Sequence, residues 1–155
     1  AARHSDLLFI TRPAGADVYG LLKEHNHKIK AQIREAGHEV RTIINPHVIC
    51  ADTEKEAKAR KQAFIDNADP VALDNFFKFI TGGDTVSWKG AMRDDLAVGG
   101  NMQMVGTPEQ VVEKMLKLHD CGIDGIQVNF YDYLPDLEYF GERVLPLMKE
   151  AGLRN

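Results

Sequence analysis

The sequence predicts an α/β fold in which parallel strands alternate with covering helices. The strongest observation is the stretch 104–147, which holds a helix, a short apolar strand and a second helix with almost no residues between them. A strand with a helix before it and after it is typical of a parallel sheet. Strand-and-helix patterns also precede this stretch, so residues 1–155 are expected to form a single domain.

The first helix of this stretch has a complete start signal. Thr107 is a natural N-cap, Pro108 stands at the first helical position and Gln110 completes a capping box. Gly122 follows where a left-handed C-cap is needed. Residues at helical spacing predict one apolar face: Val111, Val112, Met115, Leu118 and His119.

A strand and a closing helix complete the stretch. Residues 126–130 are mostly apolar, which predicts a strand covered on both faces. The closing helix is expected to bury one stripe: Leu134, Leu137, Phe140, Val144, Leu145 and Met148.

The earlier part of the chain predicts two strands and three helices. A buried strand is expected over 7–11, and a second strand over 39–50 is interrupted at Asn45-Pro46, because proline cannot donate to a ladder. Thr53 and Glu56 form a capping box. The first predicted helix, 17–36, has Lys30 on its solvated face and the apolar stripe Val18, Leu22, His25, Ile29 and Ile33. The second predicted helix is 54–67. The third begins at Asp69-Pro70 and has the apolar residues Val71, Leu73, Phe76, Phe77 and Ile80.

The segment 81–103 has no periodicity, and it contains several glycines and Trp88. An irregular segment of about 20 residues in a compact domain is usually functional or mobile. A short fourth strand is expected where this segment ends, at 102–105.

The small number of strands indicates an incomplete sheet. A closed parallel barrel needs eight strands, and natural proteins avoid long open edges. We therefore expect either edge pairing with another copy of the chain or the C-terminal half of a (β/α)₈ barrel. The opening residues lack an initiator Met and any signal-peptide character, so we expect the chain to start inside a larger protein.

Composition excludes several classes of protein. Charged residues make up 27% of the chain, the formal net charge is −4, and no basic cluster suggests nucleic acid as a partner. No apolar run approaches the roughly 20 residues of a membrane span. The two cysteines, Cys50 and Cys121, are far apart, which favours reduced thiols in a cytoplasmic protein. No metal-ligand spacing is present.

Three blocks of sequence carry a resemblance. The run 105–153, with GTPEQVVEKMLKLHDCGIDGIQVNFYDYL and EYFGERVLPLMKEAG, resembles the C-terminus of the bacterial-luciferase-like flavin monooxygenases. The segment NPHVICADTEKEAKARKQAFIDNADPVAL and the opening AARHSDLLF are similar to the same enzymes. Within that superfamily the chain looks most similar to the two-component dimethylsulfone, alkanesulfonate and pyrimidine monooxygenases.

The resemblance implies a (β/α)₈ barrel that binds reduced FMN at the C-terminal ends of its strands, with the flavin supplied by a flavin reductase. A loop that holds the flavin phosphate normally precedes the AARHSD-like block, and the first half of the barrel precedes it too. The resemblance therefore implies a fragment that is inactive alone.

The resemblance also implies site residues. His47 matches an active-site His, and Tyr131 matches a Tyr just past the last barrel strand. Asn45 stands where those enzymes have an Arg, and with Asn129 it is expected to bind flavin or substrate. Arg93, or Lys89, is a candidate for an Arg carried by a mobile loop, so 81–103 is a candidate lid with Trp88 as its anchor.

Two arginines of the alkanesulfonate-type enzymes are missing, which favours a neutral substrate over a sulfonate. Proton handling by His47 and Tyr131 suits oxygenation of a small organic molecule. Two alternatives stay open at this point. One is a non-catalytic half-barrel for association or flavin storage; the other is a deazaflavin-dependent reductase of the same superfamily.

Overall fold

The computed structural model describes residues 4–13, 17–81 and 91–154. These residues form strands β1 (Leu7–Phe9), β2 (Arg41–Ile44), β3 (His47–Cys50), β4 (Gln103–Gly106) and β5 (Gly125–Ile126). The helices are α1 (Val18–Glu35), α2 (Glu54–Asp66), α3 (Pro70–Thr81), α4 (Ala91–Ala97), α5 (Pro108–Asp120), α6 (Tyr133–Tyr139) and α7 (Leu145–Glu150), with a π-helical turn (Phe140–Val144) between the last two.

Every strand pair is parallel, as the sequence predicts. One sheet has the order β1-β2-β5, and β3 pairs with β4 in a second. The predicted break at Asn45-Pro46 separates β2 from β3. Residues 41–50 nevertheless act as one central strand, because their backbone forms hydrogen bonds with neighbouring segments both before and after the break.

Alternate residues of this central strand bond to opposite neighbours, because the polar groups of successive strand residues point to opposite sides. On one side, Ile10 N donates to Ile43 O and His47 N donates to Met102 O, both at 2.8 Å. On the other side, Gln127 N donates to Ile44 O and Asn129 N to Pro46 O, both at 2.9 Å. Segment 127–129 therefore continues the pairing of β5 up to the start of β3.

The two faces of the sheet differ in burial. Residues at even positions of the central strand, from Thr42 to Cys50, are buried under the helices. Their neighbours Ile10, Met102 and Met104 are buried with them. On the opposite face Leu7 and Phe9 are exposed, and Asn45 and His47 are only partly buried. Ile49 on this side is buried as well. We call this second face, on which the other described residues of the central strand are exposed or partly buried, the open face.

The predicted helix starts are confirmed. Thr107 Oγ1 accepts from Gln110 N and Thr53 Oγ1 accepts from Glu56 N, and both capping boxes are complete. Gly122 has φ +76° at the end of α5, and Gly37 has φ +78° after α1. The fourth strand is present at 103–106, close to its predicted place. Cys50 and Cys121 are buried free thiols, as expected.

The predicted strand at 7–11 is shorter and less covered than expected. β1 ends at Phe9, and Leu7 and Phe9 are 48% and 56% exposed. The strand expected over 126–130 forms a regular ladder only at 125–126, with an isolated bridge at Asn129, and it is not covered on both faces. Both predictions failed because the sequence pattern does not distinguish apolar residues on the open face from apolar residues that are buried.

Several helix faces also depart from prediction. Leu134 and Leu137 of α6 are exposed, and so are His25 and His119. Asn26, one position further along α1, is buried instead of His25, because its amide donates to Cys121 O at 3.0 Å.

Charge and loop predictions were wrong at two further places. Lys30 is not simply solvated, because it pairs with Asp124 at 2.6 Å and bonds Gly122 O. The segment 81–103 is not irregular throughout: α4 occupies 91–97. Trp88 and Lys89 lie outside the described residues.

On α3, Val71 is 66% and Phe76 is 46% exposed, so these two residues of its predicted apolar stripe are not in the core. The side chains of Phe77 and Ile80 lie outside what the structure describes. None of the described helices is both long and apolar enough to cross a membrane.

Candidate active site at the strand ends

His47 and Tyr131 meet on the open face. Their rings stack with centroids 5.1 Å apart and planes at 28°. Phe64 of α2 also stacks on Tyr131, with centroids 4.0 Å apart. The structure therefore brings together the two residues that the sequence proposes as catalytic, in a cluster with an aromatic support.

The local backbone explains this meeting. The break at Pro46 places His47 at the first position of β3, and His47 forms a parallel bridge with Asn129. Val48 N donates to Asn129 O at 3.0 Å, which fixes the segment that leads to Tyr131. Tyr131 lies two residues beyond that bridge, so it emerges beside the His47 ring on the same face.

Burial tunes both side chains in a direction that suits proton transfer. It lowers the pKa of His47, so the imidazole stays neutral near neutral pH. It raises the pKa of Tyr131, so the phenol keeps its proton. The Nδ1 atom of His47 and the hydroxyl of Tyr131 are both buried without a hydrogen-bond partner among the described residues. Such unpaired buried polar atoms are costly in a native protein, so each of the two calls for a specific explanation.

Asn45 and Asn129 lie next to this pair. Asn129 Nδ2 donates to the backbone oxygen of Asn45 at 3.3 Å. Both residues are partly buried on the same face as His47. The structure thus gathers four of the five candidate site residues at one end of the sheet.

The fifth candidate, Arg93, is held elsewhere. It lies on α4 and pairs with Asp74 of α3, with 3.7 Å between Nη2 and Oδ1. Both side chains are about half exposed or more, at 48% and 63%. The structure gives no contact between Arg93 and the His47–Tyr131 pair.

Sequence reasoning missed a polar network beside the stack. Asp95 of α4 accepts from Arg12 at 3.0 Å and from Gln103 at 3.2 Å. Gln103 is the register partner of His47, so this network borders the site. The available signal was an Arg directly after a strand and before Pro13, at the carboxyl end where barrel enzymes carry their sites.

Parallel strands with helices on one face and a polar cluster beside them are typical of part of a (β/α)₈ barrel. The chain belongs to the luciferase-like monooxygenase family, whose pattern it matches over residues 1–125. The resemblance seen in the sequence is therefore confirmed.

Curated relatives agree with this assignment. The chain is 35% identical to an FMNH(2)-dependent dimethylsulfone monooxygenase of Pseudomonas fluorescens (strain Pf0-1), over 97% of this chain and 43% of that protein. It is 31% identical to the pyrimidine monooxygenase RutA of Acinetobacter baylyi (strain ATCC 33305 / BD413 / ADP1), over 96% and 42%. The chain therefore spans less than half the length of these relatives.

A solved structure shares the fold. DmoA from Hyphomicrobium sulfonivorans superposes with a TM-score of 0.82 at 18% identity, over 97% of this chain and 40% of that chain. The described fold is thus a portion of a barrel of this family, as the sequence predicted.

Proposed function

We propose that this chain carries the strand-end active-site face of an FMNH₂-dependent monooxygenase that oxygenates a small, neutral, polar organic molecule. The observation that supports it most directly is the His47–Tyr131 stack, whose Nδ1 and hydroxyl are buried without partners. The curated relatives are both monooxygenases, and the dimethylsulfone monooxygenase is FMNH(2)-dependent.

The residues present fit a flavin in character. A flavin ring is flat and has polar edges, and this end of the sheet offers stacked aromatic rings beside the amides of Asn45 and Asn129. When bound, reduced FMN supplies the electrons that activate oxygen. The flavin phosphate would want cationic or backbone N–H partners. Arg12 and Arg93 are each paired with a carboxylate, so we assign phosphate binding to residues other than these two.

His47 and Tyr131 are assigned complementary proton roles. Neutral His47 can accept a proton at its unpaired Nδ1, while the Tyr131 phenol can donate one. Their ring stack holds both groups in a fixed relation, and the burial of the His47 Nδ1 and Tyr131 hydroxyl atoms limits the access of water to them. The pair can therefore hold and return the proton that oxygenation requires.

The charges near the stack favour a neutral substrate. Arg12 is the guanidinium at the end of β1, and Asp95 neutralises it. An anionic substrate such as a sulfonate would want a free bidentate guanidinium, which the described strand ends do not offer. Amide and phenol groups instead suit a molecule with neutral acceptors.

The same proposal implies a partner and a location. A flavin reductase would deliver reduced FMN, and the open strand edges favour assembly with further protein, either the rest of a barrel or another copy. Buried free thiols at Cys50 and Cys121 are consistent with a reducing cytoplasm. We further propose that 81–103, of which the structure describes α4 and the turn after it, forms a lid over the site.

The test is reconstitution of the complete protein that contains this sequence with a flavin reductase, NADH, FMN and a panel of small sulfones, amides and heterocycles. His47→Ala and Tyr131→Phe are each expected to lower kcat by about 100-fold, because proton transfer by a positioned side chain contributes about that much. Product formation and oxygen uptake are measured together.

Matched variants control for nonspecific damage. His25→Ala and Tyr133→Phe change the same residue types at exposed positions on α1 and α6, and both should leave kcat unchanged. Wild-type turnover in both His47→Ala and Tyr131→Phe would overturn the assignment. Turnover that continues without oxygen would favour the deazaflavin-dependent reductase instead.

A further inference from the structure

Asp95 joins three elements beside the candidate site. Its Oδ2 accepts from Arg12 Nη2 at 3.0 Å, and its Oδ1 accepts from Gln103 Nε2 at 3.2 Å. Arg12 follows β1, and Gln103 begins β4 as the register partner of His47. One carboxylate therefore ties α4 to the ends of two strands. The ion pair is partly buried, with side chains 31% and 34% exposed, so water weakens it less than a surface pair.

The turn after α4 is anchored to the same residue. Gly100 N donates to Asp95 O at 2.7 Å, and Gly99 N donates to Leu96 O at 2.9 Å. Gly99 and Gly100 have φ of +87° and +70°, a left-handed conformation that ends the helix. Val98, just before them, is completely buried. Asp95 thus fixes the turn through its backbone and fixes the helix through its side chain.

This turn lies directly on the His47 ring. A Cβ atom at Gly99 would lie 2.7 Å from Cε1 and 3.1 Å from Nδ1 of His47. Only a residue without a side chain permits so close an approach. The contact falls on the ring edge that carries the buried, unpaired Nδ1. The imidazole therefore has the Tyr131 ring stacked on it and the Gly99 turn close to its Cε1–Nδ1 edge.

We propose that Asp95 and Gly99 are positioning residues for His47: Asp95 anchors the α4 turn to the strand ends, and Gly99 presses that turn onto the imidazole. The consequence for turnover rests on the proposed function, but the positioning itself can be measured without flavin. Neither residue is assigned a contact with substrate.

The groups near His47 carry no net charge, so burial is the dominant influence on its pKa. Asp95 from α4 and Arg12 from the end of β1 neutralise each other. Gln103 from β4 and Phe64 from α2 carry no charge, and Tyr131 keeps its proton. Burial alone accounts for the lowered pKa of His47. Loosening the turn should therefore admit water to the ring and return its titration toward that of an exposed histidine.

The first test is Gly99→Ala in the complete protein, followed by NMR titration of histidines labelled with ¹³C. The His47 signals, assigned with His47→Gln, should titrate at higher pH than in the wild type. In the reconstituted enzyme, kcat should fall by about 10- to 100-fold, because a small misplacement of a reacting group is costly. KM should stay within about twofold, since the change disturbs positioning and not ground-state binding.

Gly37→Ala is the matched control for backbone strain. Gly37 has φ +78°, nearly that of Gly99, but nothing lies within 4 Å of the Cβ it would gain. Gly37→Ala should introduce the same kind of backbone strain without a clash, and should leave the His47 titration and kcat unchanged.

The second test is Asp95→Ala, which removes the anchor and leaves Gly99 in place. It should move the His47 titration in the same direction by a smaller amount, and Asp95→Asn should restore part of the wild-type behaviour, because an amide oxygen still accepts from Arg12 or Gln103. Glu113→Ala removes the exposed ion pair with Lys117 on α5 and should change nothing at His47.

A wild-type His47 titration in both Gly99→Ala and Asp95→Ala would overturn the proposal. If Gly99→Ala does not fold, Asp95→Ala decides the matter alone. If His47→Ala keeps full turnover while Gly99→Ala still moves the His47 titration, the positioning stands and the proposed catalytic role of His47 fails.

Discussion

The two faces of the sheet share one backbone but have different chemistry. On the helix-covered face, Ile44, Val48 and Met104 are at most 2% exposed and contact the helices that cover them. On the open face, Asn45, His47 and Asn129 stand at alternating positions and remain partly accessible. Because side chains of a strand alternate between faces, a single strand can serve both purposes. The covered face stabilises the fold, and the open face presents the candidate site.

The largest expected difference between the faces is in stability. Met104→Ala on the covered face should lower the free energy of unfolding by about 2–5 kcal/mol, because it leaves a cavity in a packed core. Leu7→Ala on the open face should cost far less in this chain, since Leu7 is 48% exposed. Urea denaturation followed by circular dichroism measures both. Equal losses would mean that the open face is covered by something that also packs on Leu7.

A smaller loss of stability is expected from removing the N-caps of the helices that follow β3 and β4. Thr107→Ala removes the cap of α5, whose hydroxyl accepts from Gln110 N, and should cost about 1 kcal/mol. Thr53→Ala at the equivalent place on α2 should cost a similar amount. Thermal unfolding compares the two variants. A loss several times larger at one of them would show that its cap also supports the site.

The smallest expected effect is the pH dependence that His47 contributes to stability. Burial lowers its pKa, so the unfolded chain binds more protons than the folded one as the pH falls below about 6.5. Stability from this group is therefore fully present above about pH 6.5 and is lost as the pH falls through the folded pKa. His47→Gln should flatten the stability profile between about pH 7 and pH 5 relative to the wild type. An unchanged profile would indicate that the ring is solvated in solution.

The predictions made from sequence succeeded where the signals were local. The capping boxes at Thr53 and Thr107, the glycine after α5 and the strand break at Pro46 are confirmed, because each depends on residues a few positions apart. The family assignment is confirmed as well. The sequence also proposed His47 and Tyr131 together, although only through the resemblance.

Predictions of burial failed on the open face. Leu7 and Phe9 are apolar and were expected to be buried, yet no described element covers them. The apolar pattern reports what a residue would gain by burial and not whether a partner is present. The same limit explains Leu137, which continues a helical stripe but is 38% exposed.

The sequence by itself determined the parallel α/β class and the capped starts of α2 and α5, because caps, periodicity and turn residues act over a few neighbouring positions. It also identified the family, through the resemblance of three blocks. Only the tertiary structure decided that Asp95 bonds Arg12, 83 residues earlier, and that Gly99 lies on the His47 ring. Such contacts depend on which segments, far apart in the sequence, come close together at the strand ends, and this is set by packing across the whole sheet. No local pattern in the chain encodes it.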